Sequence, residues 1–84
     1  MNSKVLVEVF VPTLGKKMDV FIPLRSPMYE VLELLKKAAA DLSNGQFLPN
    51  AETAICRRED GNILNINLSV YELGIRNGSK LMLI

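Results

Sequence analysis

The stretch SPMYEVLELLKKAAADL, Ser26–Leu42, decides the fold, because it reads as the single long helix of the chain. Ser26 has the chemistry of an N-cap, since its hydroxyl can accept an orphan amide of the first turn. Pro27 suits the first helical position, where its missing N–H is no loss. Val31, Leu34, Leu35, Ala38 and Leu42 recur at i, i+3, i+4, i+7 and i+11, which predicts one apolar stripe. Glu33 and Lys37 form a favourable i,i+4 pair off that stripe. Gly45 is the expected left-handed stop beyond Ser43 and Asn44. Such a stripe must be covered, and the other apolar runs all read as strand.

On the N-terminal side, Lys4–Val11 places Val5, Val7, Val9 and Val11 on one face and Leu6, Glu8 and Phe10 on the other. Pro12 to Gly15 reads as a turn, and Lys17–Leu24 alternates again, with Met18, Val20, Ile22 and Leu24 on one side and Phe21 on the other. Together they predict an antiparallel hairpin whose second strand, carrying Pro23, lies at a sheet edge. On the C-terminal side, Ser43–Glu52 reads as an irregular loop that tucks Phe47 and Leu48 under the helix end. Strands are expected at Thr53–Arg58 and Ile63–Ile66, joined through Asp60-Gly61. Ser69 to Glu72 has capping-box spacing, Asn77-Gly78 is a turn signal, and Lys80–Ile84 is a last strand.

The expected fold class is therefore α+β: a β-grasp, a five-stranded mixed sheet packed on one long helix, with residues 1–84 forming one domain. Phase puts Val5, Val7, Val9, Met18, Val20, Ile22, Val31, Leu34, Leu35, Ile55, Leu81 and Leu83 in the core.

Composition narrows the chemistry. The chain has 84 residues, 49% of them hydrophobic and 23% charged, which fits one small globular core. Ten basic and nine acidic residues give a net charge of +1 and no basic run, so nucleic acid is not an expected partner. One cysteine and no histidine leave no basis in the sequence for a metal site, a cofactor or a histidine-assisted nucleophile. Cys56 is expected to be an ordinary strand residue, and the scattered carboxylates lack the pairing a hydrolase would use. Arg57, Arg58 and Lys80 are expected to form at most a small solvated basic spot. No apolar run reaches the roughly 18 residues of a membrane span, so a cytoplasmic protein without membrane insertion is expected.

The order of elements resembles ubiquitin, and Leu68–Ile84, LSVYELGIRNGSKLMLI, is similar to the closing segment of ubiquitin-like domains. Gly74-Ile75-Arg76-Asn77-Gly78 resembles the turn of a bacterial group, the YukD/EsaB proteins of type VII (WXG100) secretion. That resemblance implies a non-catalytic accessory or adaptor protein that binds a component of a secretion machine. It also implies recruitment from the cytoplasm to a membrane-bound complex. A ubiquitin-like modifier or sulfur carrier is the alternative. Those proteins react through a mobile Gly-Gly tail, whereas this sequence closes on Leu83-Ile84, so conjugation is not expected.

Strand parity then assigns a binding surface. With Val5, Val7 and Val9 inward, Leu6 and Phe10 face away, as do Met82 and Ile84 on the last strand. Phe21 and Cys56 fall on the same open face of the adjoining strands. Leu6, Phe10, Met82 and Ile84 are expected to form one contiguous patch that binds a protein partner, with self-association as the competing use.

Overall fold

The computed structural model describes residues 3–84. Strand β1 (Lys4–Val11) and strand β2 (Lys16–Pro23) form the expected antiparallel hairpin, with Val9 opposite Met18 and Val5 opposite Ile22. Helix α1 (Met28–Leu42) follows, then the short strand β3 (Ile55–Arg57) and strand β4 (Lys80–Leu83). Among the described residues the strands make a sheet of order β2-β1-β4-β3, with β1 and β4 parallel at its centre. This is a β-grasp, but with four strands and not the expected five. Ile63–Ile66 makes only an isolated bridge from Ile63 to Cys56.

The reason lies at the start of the helix. The Met28 N–H donates to the Leu68 carbonyl at 2.8 Å and the Tyr29 N–H to the Ile66 carbonyl at 2.9 Å. Backbone carbonyls of the 66–68 segment thus satisfy amides that a side-chain cap would otherwise serve. The chain there turns toward the helix and away from the sheet. The same docking corrects the expected cap. Pro27, in extended conformation, occupies the N-cap position, and no side chain caps the helix. Ser26 instead accepts the Val70 N–H at its backbone carbonyl, 3.1 Å away.

The helix also faces a different way from the one expected. Its buried residues are Met28, Val31, Leu32, Leu35 and Ala39. Leu34 is 54% exposed and Leu42 39%, while Ala38 is half-buried. Both stripes have helical spacing and share Val31 and Leu35, but the real one is rotated by about 60° at 3.6 residues per turn. Met28 decides between them. It sits in the docked first turn and is fully buried, so Leu32 and Ala39, four and eleven residues further on, follow on its side of the helix.

Seventeen buried apolar residues form the core cluster, drawn from all four strands, the helix and the loops between them. Met18 and Val20, expected in the core, are half-buried and pack against it from the edge strand. Phe47 is buried as expected, but Leu48 points to solvent at 79% exposure. The Ser43 hydroxyl holds this loop by accepting the Phe47 N–H at 2.7 Å and donating to the Ala40 carbonyl at 2.9 Å. Left-handed Asn44 and Gly45 (φ 53° and 84°) end the helix.

Two local devices complete the frame. The Ser69 hydroxyl accepts the Glu72 N–H and the Glu72 carboxylate accepts the Ser69 N–H, at 3.0 and 2.9 Å, a reciprocal capping box. Further on, Asn77 and Gly78 fasten the entry of β4 to β1. The Leu6 N–H donates to Asn77 Oδ1 at 2.7 Å, and the Gly78 N–H donates to the Leu6 carbonyl at 2.9 Å. An asparagine side chain therefore completes the pairing of Leu6 before the regular ladder begins at Glu8 and Lys80.

Three outcomes follow from this frame. Leu35→Ala is expected to cost about 2–5 kcal/mol, whereas Leu34→Ala stays within about 0.5 kcal/mol, read from urea midpoints. Equal effects would mean that the helix presents its other stripe. Asn77→Ala is expected to cost about 1 kcal/mol and to speed hydrogen exchange at the Leu6 amide. The third concerns pH. The Ser69 backbone N–H, and then its hydroxyl, hold the Glu72 carboxyl below the ordinary glutamate range. A lowered folded value means that the charged form stabilises the fold above the unfolded value, and that this contribution is lost as pH falls through the folded one. The stability gap between the native chain and Glu72→Gln is therefore expected to close on acidification.

A candidate protein-binding face of the sheet

The face of the sheet opposite α1 is built in rows, because paired strands bring residues of one parity side by side. Leu6 of β1 lies opposite Phe21 of β2. The next row holds Asp19, Glu8 and Lys80, and the one after it Lys17, Phe10, Met82 and Cys56. Ile84 follows, exchanging backbone hydrogen bonds with Ala54 at 2.8 and 2.9 Å.

Exposure along these rows is uneven. Phe21 is 64% exposed, Ile84 49% and Leu6 37%, while Phe10 and Met82 are half-buried. Cys56 differs from the expectation for an open-face residue, because none of its surface reaches solvent. Its thiol lies 3.5 Å from the Met82 carbonyl, as donor. Burial, reinforced by the Asp60 carboxylate, pushes this thiol above its ordinary value, so at neutral pH it is protonated and a poor nucleophile.

The expected contiguous patch is also divided. Glu8 stands between Leu6 and Phe10 and draws in one cation from β2 and one from the turn just beyond β3. Its carboxylate accepts Arg58 Nη1 at 3.1 Å and faces Lys17 Nζ at 3.9 Å. The Arg58 guanidinium carbon sits 4.5 Å from the centre of the Phe10 ring, a cation–π arrangement that covers one side of the ring. Leu6 and Phe21 therefore form one apolar area, and Phe10, Met82 and Ile84 a second. A charged row runs between them.

Sequence reasoning missed this row because Arg58 meets Glu8 across 50 residues of chain. Parity gave the face of Glu8, but no local pattern names its partner. Among the described residues, no group of three or more His, Cys, Asp or Glu is placed to hold a metal ion. What the face offers is surface: two apolar areas flanking a fixed ion-pair cluster.

The profile of the family described as WXG100 protein secretion system (Wss), protein YukD, matches residues 6–83. No curated protein sequence matches the chain significantly. Among solved structures, the ubiquitin-like domain of the Mycobacterium tuberculosis type VII secretion system protein EccD1 superposes with a TM-score of 0.79 at 18% identity, covering 98% of each chain. A chain of the toluene 4-monooxygenase HD complex superposes at 0.76 with 16% identity, covering 96% of each. A chain of the ESX-5 inner membrane complex gives 0.70 at 20% identity, over 96% of this chain and 20% of that one. Likeness at such identities shows the fold, and the family profile goes further. The chain belongs to the YukD family, and is a ubiquitin-like protein associated with type VII (WXG100) secretion.

Proposed function

We propose that this protein is a non-catalytic adaptor that binds a protein component of the secretion apparatus through the open sheet face, without being conjugated to it. The observation that carries the proposal is the exposure of Leu6, Phe21 and Ile84 on a sheet face opposite the helix. Large apolar side chains that a fold leaves in water are the usual anchors of a protein interface. Phe10 and Met82 extend that surface at lower exposure, and Cys56 lies beneath it as packing.

Family membership supports a partner within the secretion system. The ESX-5 chain of similar fold supports a membrane-bound assembly as the place of binding. Among the described residues, no helix is long and apolar enough to cross a membrane, so recruitment from the cytoplasm through protein contacts is the route proposed. The non-catalytic reading is supported by the protonated, buried thiol and by a sequence without histidine.

The test places a photo-crosslinking amino acid at Phe21 of the full chain in its native host. Adducts to a secretion-system component are expected, and Leu6→Ser is expected to reduce them about tenfold while the melting temperature stays nearly unchanged. Adducts only to a second copy of the chain would replace the adaptor with a homo-oligomer. A C-terminal remnant of this chain on another protein's lysine, found by mass spectrometry, would overturn the non-conjugating part.

A further inference from the structure

Lys17, Arg57, Arg58, Arg76 and Lys80 are spread over the sequence, yet the fold gathers all five around one cleft of about 740 Å³ at the end of the sheet. Glu8 and Glu59 are the carboxylates that share its lining. The cleft thus holds an excess of three positive charges in a chain whose net charge is only +1. Folding concentrates a charge that composition does not display.

These cations are not equivalent. Arg58 is engaged by Glu8 at 3.1 Å, and Lys17 lies 3.9 Å from the same carboxylate. Arg57 donates through Nη2 to the Leu73 carbonyl, a neutral partner that fixes the guanidinium without neutralising it. Arg76 and Lys80 are exposed and have no ion pair among the described residues. The turn that carries Arg76 is itself held: its N–H donates to Ser79 Oγ and its carbonyl accepts the Ser79 N–H, both at 2.9 Å. Charged donors on a fixed frame lose less conformational freedom when a ligand arrives.

The cleft is continuous with the proposed docking face, since Glu8, Lys17, Arg58 and Lys80 belong to both. We infer that it receives an acidic, extended segment of the protein that docks there, whose carboxylates pair with Arg57, Arg76 and Lys80. This inference rests on the open face being a protein-binding surface. Arginine presents paired N–H groups that match a carboxylate. Nucleic acid fits less well, because an excess of three charges is a short phosphate track and Arg58 already covers the Phe10 ring that a base would stack on. A flat lipid surface fits a concave site poorly.

The full chain, labelled with ¹⁵N, is titrated with a short acetylated and amidated Glu-rich peptide at low salt. Amide shifts are expected to cluster at Arg57, Arg58 and Arg76–Lys80, and to fade at physiological salt. Arg76→Glu with Lys80→Glu is expected to weaken binding at least about tenfold with the melting temperature retained. A Gln-rich peptide of equal length is expected to leave the spectrum unchanged. Shifts spread equally over Lys4, Lys16, Lys36 and Lys37, or stronger shifts at the cleft from an oligonucleotide or phosphatidylserine vesicles, would overturn the inference. In the host, the charge-reversed chain is expected to lose most of the Phe21 crosslink. A full crosslink would show that the partner binds the face without using the cleft. Absence of any crosslink even from the native chain would sink the docking face instead, and the peptide titration then decides the cleft alone.

Discussion

The first turn of the helix, giving its amides to the carbonyls of Ile66 and Leu68, is the interaction on which the rest of the architecture depends. A helix start is a cluster of unpaired donors, and here another part of the backbone supplies the acceptors. The neighbouring carbonyls of Leu24 and Ser26 accept from Tyr71 and Val70 in return. The segment leaving β2 and the segment approaching β4 are thereby tied together on both sides of Pro27. With that join in place, Met28 is driven into the core and the helix has one rotation available to it. The sheet gives up a fifth strand for the same reason.

This explains which parts of the molecule were legible in the sequence. Alternation along Lys4–Val11 and Lys80–Leu83 is a local property, so the inward valines and the buried Leu81 and Leu83 were readable. The capping box at Ser69 and the turn at Asn77-Gly78 were readable for the same reason. The helix itself was also plain, but its phase was not, because two stripes share Val31 and Leu35 and only a distant backbone contact separates them. Ser26 has the right chemistry for a cap and lost the position to carbonyls 40 residues away in sequence (Ser26 against Ile66). The candidate face follows the same division. Parity placed Leu6, Phe10, Phe21, Met82 and Ile84 together, whereas the Glu8–Arg58 contact that splits them and the burial of Cys56 depend on tertiary neighbours.

The toluene monooxygenase chain and the EccD1 domain share this fold at nearly the same TM-score while belonging to different systems. A β-grasp is therefore a scaffold, and what separates its users is the decoration of the surface. In this chain the decoration is asymmetric. Apolar side chains stand at the ends of the open face, and cations collect where β3 stops and β4 begins. Both are held by backbone bonding in the sheet and its turns, not by the long helix.

The parallel pairing of β1 with β4 has a consequence for the chain before it is folded. Glu8 and Lys80 are neighbours at the centre of the sheet, although almost the whole sequence separates them. Closing so large a loop is slow compared with forming the β1–β2 hairpin. In the interval the hairpin displays, along the flank that β4 will occupy, an unpaired edge backed by four valines. Such an edge is a template for strands of other molecules, so the hazard of misassembly is concentrated early, in the most regular part of the protein. The Asn77 clamp, which grips Leu6 just ahead of the regular ladder, stands where that edge would begin to be closed.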